Sequence, residues 1–168
     1  MGRRILYLLA KFDSKTQEIL SGYYDVLSKK GYVGTQNKDV PYHFTLGSFD
    51  CSDEEEKLKE MEAVASSTKP FDIRLDHIGV FGMNTIFIEP NMNFELLELE
   101  TKFFDCNGRG SHLWTAHSTI LMDEPYNIVT ALPILLEEFT PINARIDKIG
   151  LYEFTPTSLI KECTLKGD

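Results

Sequence analysis

The sequence predicts a domain of mixed helices and strands that is built from two copies of one structural unit. Apolar spacing gives the order strand, helix, strand, helix, long strand, and the same order then occurs a second time. Residues 74–81 (RLDHIGVF) are echoed by residues 145–152 (RIDKIGLY), with Arg, Asp, Ile and Gly at matching positions. Each half also contains a histidine followed two positions later by a threonine, at 43–46 (HFTL) and 117–120 (HSTI). Self-similarity of this kind indicates an internal duplication.

The first copy is bounded by recognisable helix and turn signals. Asp13 has the short acceptor side chain that caps a helix N-terminus, and Gly31 is the residue type that ends one. Ser52 and Glu55 have the spacing of a capping box, which predicts a second helix start. The elements expected in this half are a strand at 4–10, a helix to residue 30, a strand at 42–49, a helix to residue 67 and a strand at 71–81.

The second copy repeats this order. A Gly-Met-Asn turn at 82–84 separates it from the first, and a glycine-rich segment (CNGRGS) precedes its histidine motif. The elements expected are a strand at 85–88, a helix at 93–105, a strand that includes 117–120, a helix whose apolar positions run from 128 to 139, and strands at 142–154 and 158–165.

The two echoed strands share an irregularity. In both, the buried side of the apolar alternation switches part-way, at residues 76–77 in the first strand and at 147–148 in the second. A β-bulge or sharp bend shifts side chains in this way. Gly79 and Gly150, which lie just beyond, predict the close approach of another backbone or a ligand.

Composition limits the classes of protein and partner. A chain of 168 residues fits one domain, with repeats at about 1–82 and 84–165. A net charge of −9 argues against tight binding of long nucleic acid, which requires many Lys and Arg side chains to replace phosphate counterions. Three cysteines without a CxxC pair favour the reducing cytoplasm. The first apolar run is interrupted by Lys11 and Asp13, so no membrane association is expected, and we expect a monomer.

The repeated histidine motif has a chemical interpretation. Residues i and i+2 of a strand point to the same face, so His43 lies beside Thr45 and His117 beside Thr119. If the two units pack about a twofold axis, two imidazoles face each other with a hydroxyl beside each. One imidazole can then accept a proton and the other donate one near neutral pH, while the hydroxyls bind phosphate oxygens. This reaction at phosphorus requires neither a metal nor a cofactor.

A metal site is the alternative that the histidines leave open. His112 and His117 are five positions apart, and His77 is a third possible ligand. This spacing matches none of the common zinc-ligand patterns.

Two H-x-T motifs within a duplicated order of elements resemble the two-histidine (2H) phosphoesterase superfamily, which includes bacterial 2′–5′ RNA ligase-like proteins and cyclic phosphodiesterases. The resemblance covers essentially the whole chain and is carried by His43, Thr45, His117 and Thr119. It implies a bilobal α+β fold in which antiparallel sheets flank a central cleft and helices lie outside. It also implies metal-independent cleavage of 2′,3′-cyclic or 1″,2″-cyclic phosphates or of 2′–5′ linkages.

The acidic balance of the chain favours a small nucleotide or a short RNA end as the substrate over a large RNA. Aromatic side chains could stack on the base, and we expect this role for Tyr152 first, because its hydroxyl favours a half-exposed position; the other candidates are Phe81, Tyr7 and Trp114. Arg109 and Lys11 are possible phosphate contacts. The alternative function is a non-catalytic module that binds a nucleotide or RNA end in the same cleft.

Overall fold

The computed structural model describes residues 4–103, 114–154 and 156–167. Its helices and strands follow the predicted order. They are β1 (Ile5–Phe12), α1 (Ser14–Lys29), β2 (His43–Asp50), α2 (Glu54–Ser67), β3 (Phe71–Phe81), β4 (Thr85–Pro90), α3 (Phe94–Thr101), β5 (Ser118–Met122), α4 (Pro125–Glu138), β6 (Ile142–Phe154) and β7 (Ser158–Thr164).

Helix boundaries agree with the sequence signals at α1 and differ at α2 and α3. Asp13 accepts a hydrogen bond from the Thr16 N–H at the start of α1, and Gly31 ends the helix with a φ of 96° that favours glycine. The capping box predicted at Ser52 does not form, because a 3₁₀ turn at Cys51–Asp53 precedes α2 and Asp53 takes the N-cap position without a side-chain bond. Helix α3 ends at Thr101, earlier than predicted.

All seven strands form one antiparallel sheet in the order β2-β1-β6-β3-β4-β5, and β7 also pairs with β6. The three strands β2-β1-β6 and the three strands β5-β4-β3 are arranged alike, and β3 and β6 join them at the centre. The register of β3 with β6 pairs Ile73 with Ala144, and these residues immediately precede the echoed Arg74 and Arg145. A local twofold axis therefore passes between Ile73 and Ala144, and the predicted bilobal α+β fold is confirmed.

Both predicted irregularities are bulges. The pairing of β3 with β4 skips Asp76, and the pairing of β1 with β6 skips Asp147. The nearest neighbours of Gly79 and Gly150 in the protein are aromatic side chains rather than another backbone. A Cβ on Gly79 would lie 2.3 Å from the Phe87 ring. The bulges turn each long strand from the central pair β3–β6 into its own lobe.

The hydrophobic core lies between the sheet and the helices. Strand β1 shows the pattern, since Leu6, Leu8, Ala10 and Phe12 are buried and belong to one continuous apolar cluster with residues of all four helices. Lys11 points to the opposite face of β1 and lies opposite His43 of β2 and Lys148 of β6 in the register of the sheet. Lys11 and His43 therefore lie on the face of the sheet away from this cluster.

Candidate active site

His43 stands at the start of β2 with its ring orientation fixed. Its Nδ1–H donates to the Pro41 carbonyl at 2.7 Å. Because a carbonyl oxygen only accepts, Nδ1 carries the proton in the neutral ring and Nε2 presents a lone pair. Gln17 of α1 holds the preceding residue by its backbone, since its Nε2 donates to the Tyr42 carbonyl at 2.7 Å and its Oε1 accepts from the Tyr42 N–H at 2.9 Å.

His117, immediately before β5, repeats this arrangement. Its Nδ1–H donates to the Thr115 carbonyl at 2.8 Å, again two residues earlier in the chain. The ring edge-packs against Phe81 and Phe87, with centroid distances of 4.8 and 5.5 Å. Both histidines therefore have the same tautomer when neutral and offer Nε2 for proton transfer.

The threonines accompany the histidines as predicted, and both motifs contain a further bulge. In the register of the sheet Thr45 pairs with Leu9 and Thr119 with Phe87, and the next residue of each motif, Leu46 or Ile120, is skipped. Within the described residues neither threonine hydroxyl has a hydrogen-bond partner in the protein. The hydroxyls are available to a ligand.

Hydrogen bonds between distant segments hold the two motifs together. Trp114 Nε1, just before the second motif, donates to the carbonyl of Thr45 in the first at 2.9 Å. The loop after α1 binds the end of β5, because the Thr35 N–H donates to the Met122 carbonyl at 2.7 Å and Gln36 Oε1 accepts from the Met122 N–H at 3.0 Å. Strands β2 and β5 contain Cα atoms within 8 Å of each other.

The cleft has two compartments that meet at Thr45 and His117. The large compartment, of about 660 Å³, lies between α1, the loop that precedes β2, and both motifs, and it includes His43 and Thr119. The small compartment, of about 380 Å³, lies on the other side and is lined by the rings of Tyr7, Phe81 and Trp114 and by the 45–48 segment. All four motif residues thus line the same cleft.

Burial determines the electrostatic state of His43. Loss of hydration on burial lowers the pKa of His43 to about 4. The hydrogen bond to the Pro41 carbonyl favours the protonated ring and partly offsets this effect, whereas His117 and Lys11 lower the pKa further. His43 is therefore neutral at pH 7. Lys11 forms an ion pair with Glu162, which also pairs with Lys148 at 3.2 Å. The Lys11 ammonium is engaged by Glu162 rather than pointing free into the cleft.

The predicted aromatic residues divide into two groups. Tyr7, Phe81 and Trp114 line the small compartment beside His117. Tyr152 does not have the half-exposed position expected of it, because it is only 4% exposed. The reason is that β6 is paired on both edges, so that Tyr152 lies between Tyr7 of β1 and Leu159 of β7.

Other predicted groups lie partly outside the described residues. His112 and Arg109 belong to the segment 104–113, of which the structure gives no description. In the ranges that are described, no three His, Cys, Asp or Glu side chains are grouped to hold a metal ion. No helix in those ranges has the length and apolar character needed to cross a membrane.

Two residues of the site, Gln17 and Phe87, have no distinctive signal in the sequence. Gln17 lies in the first turn of a surface helix, where a polar residue has no distinctive signal. Phe87 is one of many apolar residues on a buried strand, although its pairing with Gly79 could have suggested that the glycine makes room for a large ring.

Comparison with known proteins identifies the family of this chain. The sequence model of the 2′-5′ RNA ligase superfamily matches residues 31–156, a range that contains both histidine motifs. The chain belongs to the 2′-5′ RNA ligase superfamily, and the resemblance to the 2H phosphoesterases is confirmed. The comparison with curated protein sequences gives no significant match.

Solved structures show the same fold along the whole chain. The protein TT0787 of Thermus thermophilus superposes with a TM-score of 0.67 at 14% identity, over 98% of this chain and 99% of that one. E. coli LigT complexed with 3′-AMP gives a TM-score of 0.64 at 16% identity, and LigT complexed with NADP+ gives 0.62 at 16%, each over 98% of this chain and 99% of the other. At these identities the likeness establishes the fold alone.

Proposed function

We propose that this protein is a metal-independent phosphoesterase that cleaves a cyclic phosphate or phosphodiester next to a ribose hydroxyl, in small nucleotides or at RNA ends. The observation that carries the proposal is the matched pair of imidazoles. His43 and His117 each bind a backbone carbonyl through Nδ1 and each line one cleft with a threonine hydroxyl. Small-nucleotide complexes of LigT, with 3′-AMP and NADP+, are consistent with such a substrate.

In the proposed reaction His43 is the general base. Its lowered pKa keeps Nε2 unprotonated at neutral pH, so it can take the proton of the attacking water as the new P–O bond forms. His117 gives its Nε2 proton to the departing ribose oxygen as the old P–O bond breaks. Thr45 and Thr119 donate hydrogen bonds to the non-bridging phosphate oxygens, where negative charge increases in the transition state. No step needs a metal ion.

The test is turnover of 2′,3′-cyclic nucleotides and 2′–5′ dinucleotides in the presence of EDTA. His43→Ala and His117→Ala should each lower kcat by about 10²- to 10⁴-fold, the usual contribution of a positioned acid or base. His77→Ala is the matched control, because the His77 side chain is 52% exposed and pairs with Asp76 rather than with the cleft. Wild-type rates in either cleft variant would refute the proposal.

Calorimetry with nucleoside 2′- and 3′-monophosphates, combined with the turnover assay, distinguishes a catalytic function from a purely binding function. Binding of these probes with no turnover of any substrate in the panel would favour the non-catalytic function. Loss of all activity in EDTA, restored by a divalent metal, would contradict a metal-independent mechanism.

The pH dependence gives a second check. Because the pKa of His43 is about 4, kcat/KM should remain high on the acid side until the pH approaches that value. A base with an ordinary imidazole pKa would lose activity near pH 6.5. An acid limb at pH 6.5 that persists in fully folded protein would exclude His43 as the base.

A further inference from the structure

The shape of the cleft indicates room for organic groups on both sides of the phosphate. The large and small compartments share only Thr45 and His117, so a phosphate bound at the motifs lies at their junction. Volumes of about 660 and 380 Å³ both lie in the range of about 300–1,000 Å³ that holds a small organic ligand. A cyclic mononucleotide carries a single nucleoside and leaves one compartment unused.

The small compartment is suited to a nucleobase. Phe81 is 38% exposed, and Tyr7 is held in place by stacking on Phe154 with a centroid distance of 4.4 Å. Trp114 is anchored by its bond to the Thr45 carbonyl. Rigid aromatic faces of this kind bind bases by stacking, with little sequence preference.

The large compartment has a different chemical character. Gln36 and Asn37 contribute amides, and Glu18 and Asp25 lie on the exposed side of α1 along its wall. The single ammonium there, Lys38, lies 5.3 Å from the centre of the Tyr24 ring. Among the described lining residues, carboxylates therefore outnumber ammonium groups by two to one.

The negative charge of Asp25 extends into this space. Tyr42, another wall residue, has its pKa raised to about 12, first by burial and then by the Asp25 carboxylate. An incoming phosphate would meet the same repulsion, whereas a nucleoside hydroxyl can donate a hydrogen bond to a carboxylate.

Resting on the proposed function, we propose that the large compartment selects, in an open phosphodiester substrate, a second organic group without a phosphate of its own. Glu18 and Asp25 are the residues that impose this selectivity. The aromatic compartment holds the first nucleoside, and the large compartment holds the second.

The experiment compares kcat/KM for four probes: a 2′–5′ dinucleoside monophosphate, the same compound with an added 5′-phosphate, the same compound with an added 3′-phosphate, and a 2′,3′-cyclic mononucleotide. The unmodified dinucleoside should be the best substrate. One of the two phosphorylated forms, whichever places its extra phosphate in the large compartment, should be slower by about tenfold.

The double variant Glu18→Gln/Asp25→Asn should reduce that discrimination to about threefold or less. The matched control is Glu137→Gln/Glu138→Gln at the exposed end of α4, which removes the same charge from residues that do not line the cleft and should leave the discrimination unchanged. A change of equal size in both double variants would indicate a general charge effect and overturn the role of Glu18 and Asp25.

The outcomes separate this proposal from the proposed function. Hydrolysis of the cyclic mononucleotide alone, or hydrolysis of the dinucleosides with no discrimination against either added phosphate, refutes the selectivity of the large compartment and leaves the phosphoesterase intact. Absence of turnover for all four probes refutes both.

Discussion

Protonation of His43 should couple the stability of the protein to pH. In the folded state burial lowers the pKa of His43 to about 4, whereas an unfolded histidine has a pKa of about 6.5. Between these values the unfolded chain binds more protons than the folded one, so the free energy of unfolding rises with pH across this window. The contribution is complete above about pH 6.5 and is lost as the pH falls towards 4.

The size of the effect follows from the two pKa values. At pH 5 the His43 contribution should be about 2 kcal/mol smaller than at pH 8. Urea unfolding at both pH values measures this difference in wild type and in His43→Gln, which has no titrating group at this position. Carboxylates that titrate in the same range are present in both the wild type and the variant. The difference between their changes in unfolding free energy therefore isolates the contribution of His43.

His77→Gln is the control, because it replaces a half-exposed histidine that lies outside the cleft lining. If His43→Gln loses as much stability between pH 8 and pH 5 as the wild type does, His43 is not desolvated in the folded protein. The assignment of His43 as a neutral base would then fall with it.

Three further substitutions test packing contacts in the fold. Trp114→Phe keeps an aromatic ring but removes the indole N–H that donates to the Thr45 carbonyl. It should cost about 1 kcal/mol of unfolding free energy and lower kcat/KM, as measured by urea unfolding and turnover. Unchanged values for both would show that this bond does not hold the motifs. Gly79→Ala places a Cβ 2.3 Å from the Phe87 ring and should lower the free energy of unfolding by about 1–3 kcal/mol. Gly22→Ala in α1 adds a Cβ with nothing within 4 Å, so it should raise the free energy of unfolding by about 0.5–1 kcal/mol in the same assay. Equal effects at the two glycines would contradict the packing described.

The features predicted correctly from the sequence are those that leave a periodic or repeated signal. The echo of residues 74–81 in 145–152 predicted the duplication, and the apolar switch within it predicted the bulges at Asp76 and Asp147. Strand periodicity placed each histidine beside its threonine. These signals are local, so they survive in a single sequence.

The contacts between distant segments were not predictable in this way. The bonds from Gln17 to Tyr42 and from Trp114 to Thr45 join a side chain to a backbone group far away in the sequence. Neither contact has a spacing pattern that marks it. The burial of Tyr152 was missed because β7, although predicted as a strand, had no assigned partner, and its pairing with β6 encloses that ring.

Acid–base chemistry requires two histidines in different protonation states, whereas a duplication supplies two equivalent ones. The backbone keeps the equivalence, since each Nδ1 binds the carbonyl two residues earlier. The neighbouring side chains remove it. Leu9 lies opposite Thr45 in the sheet, whereas Phe87 lies opposite Thr119. His43 lies beside Lys11 in the register of the sheet. His117 packs against aromatic rings at the junction of the two compartments. In the proposed reaction, the repeated unit thus fixes which nitrogen of each ring faces the substrate, and the surroundings of His43 keep that ring neutral and able to accept a proton.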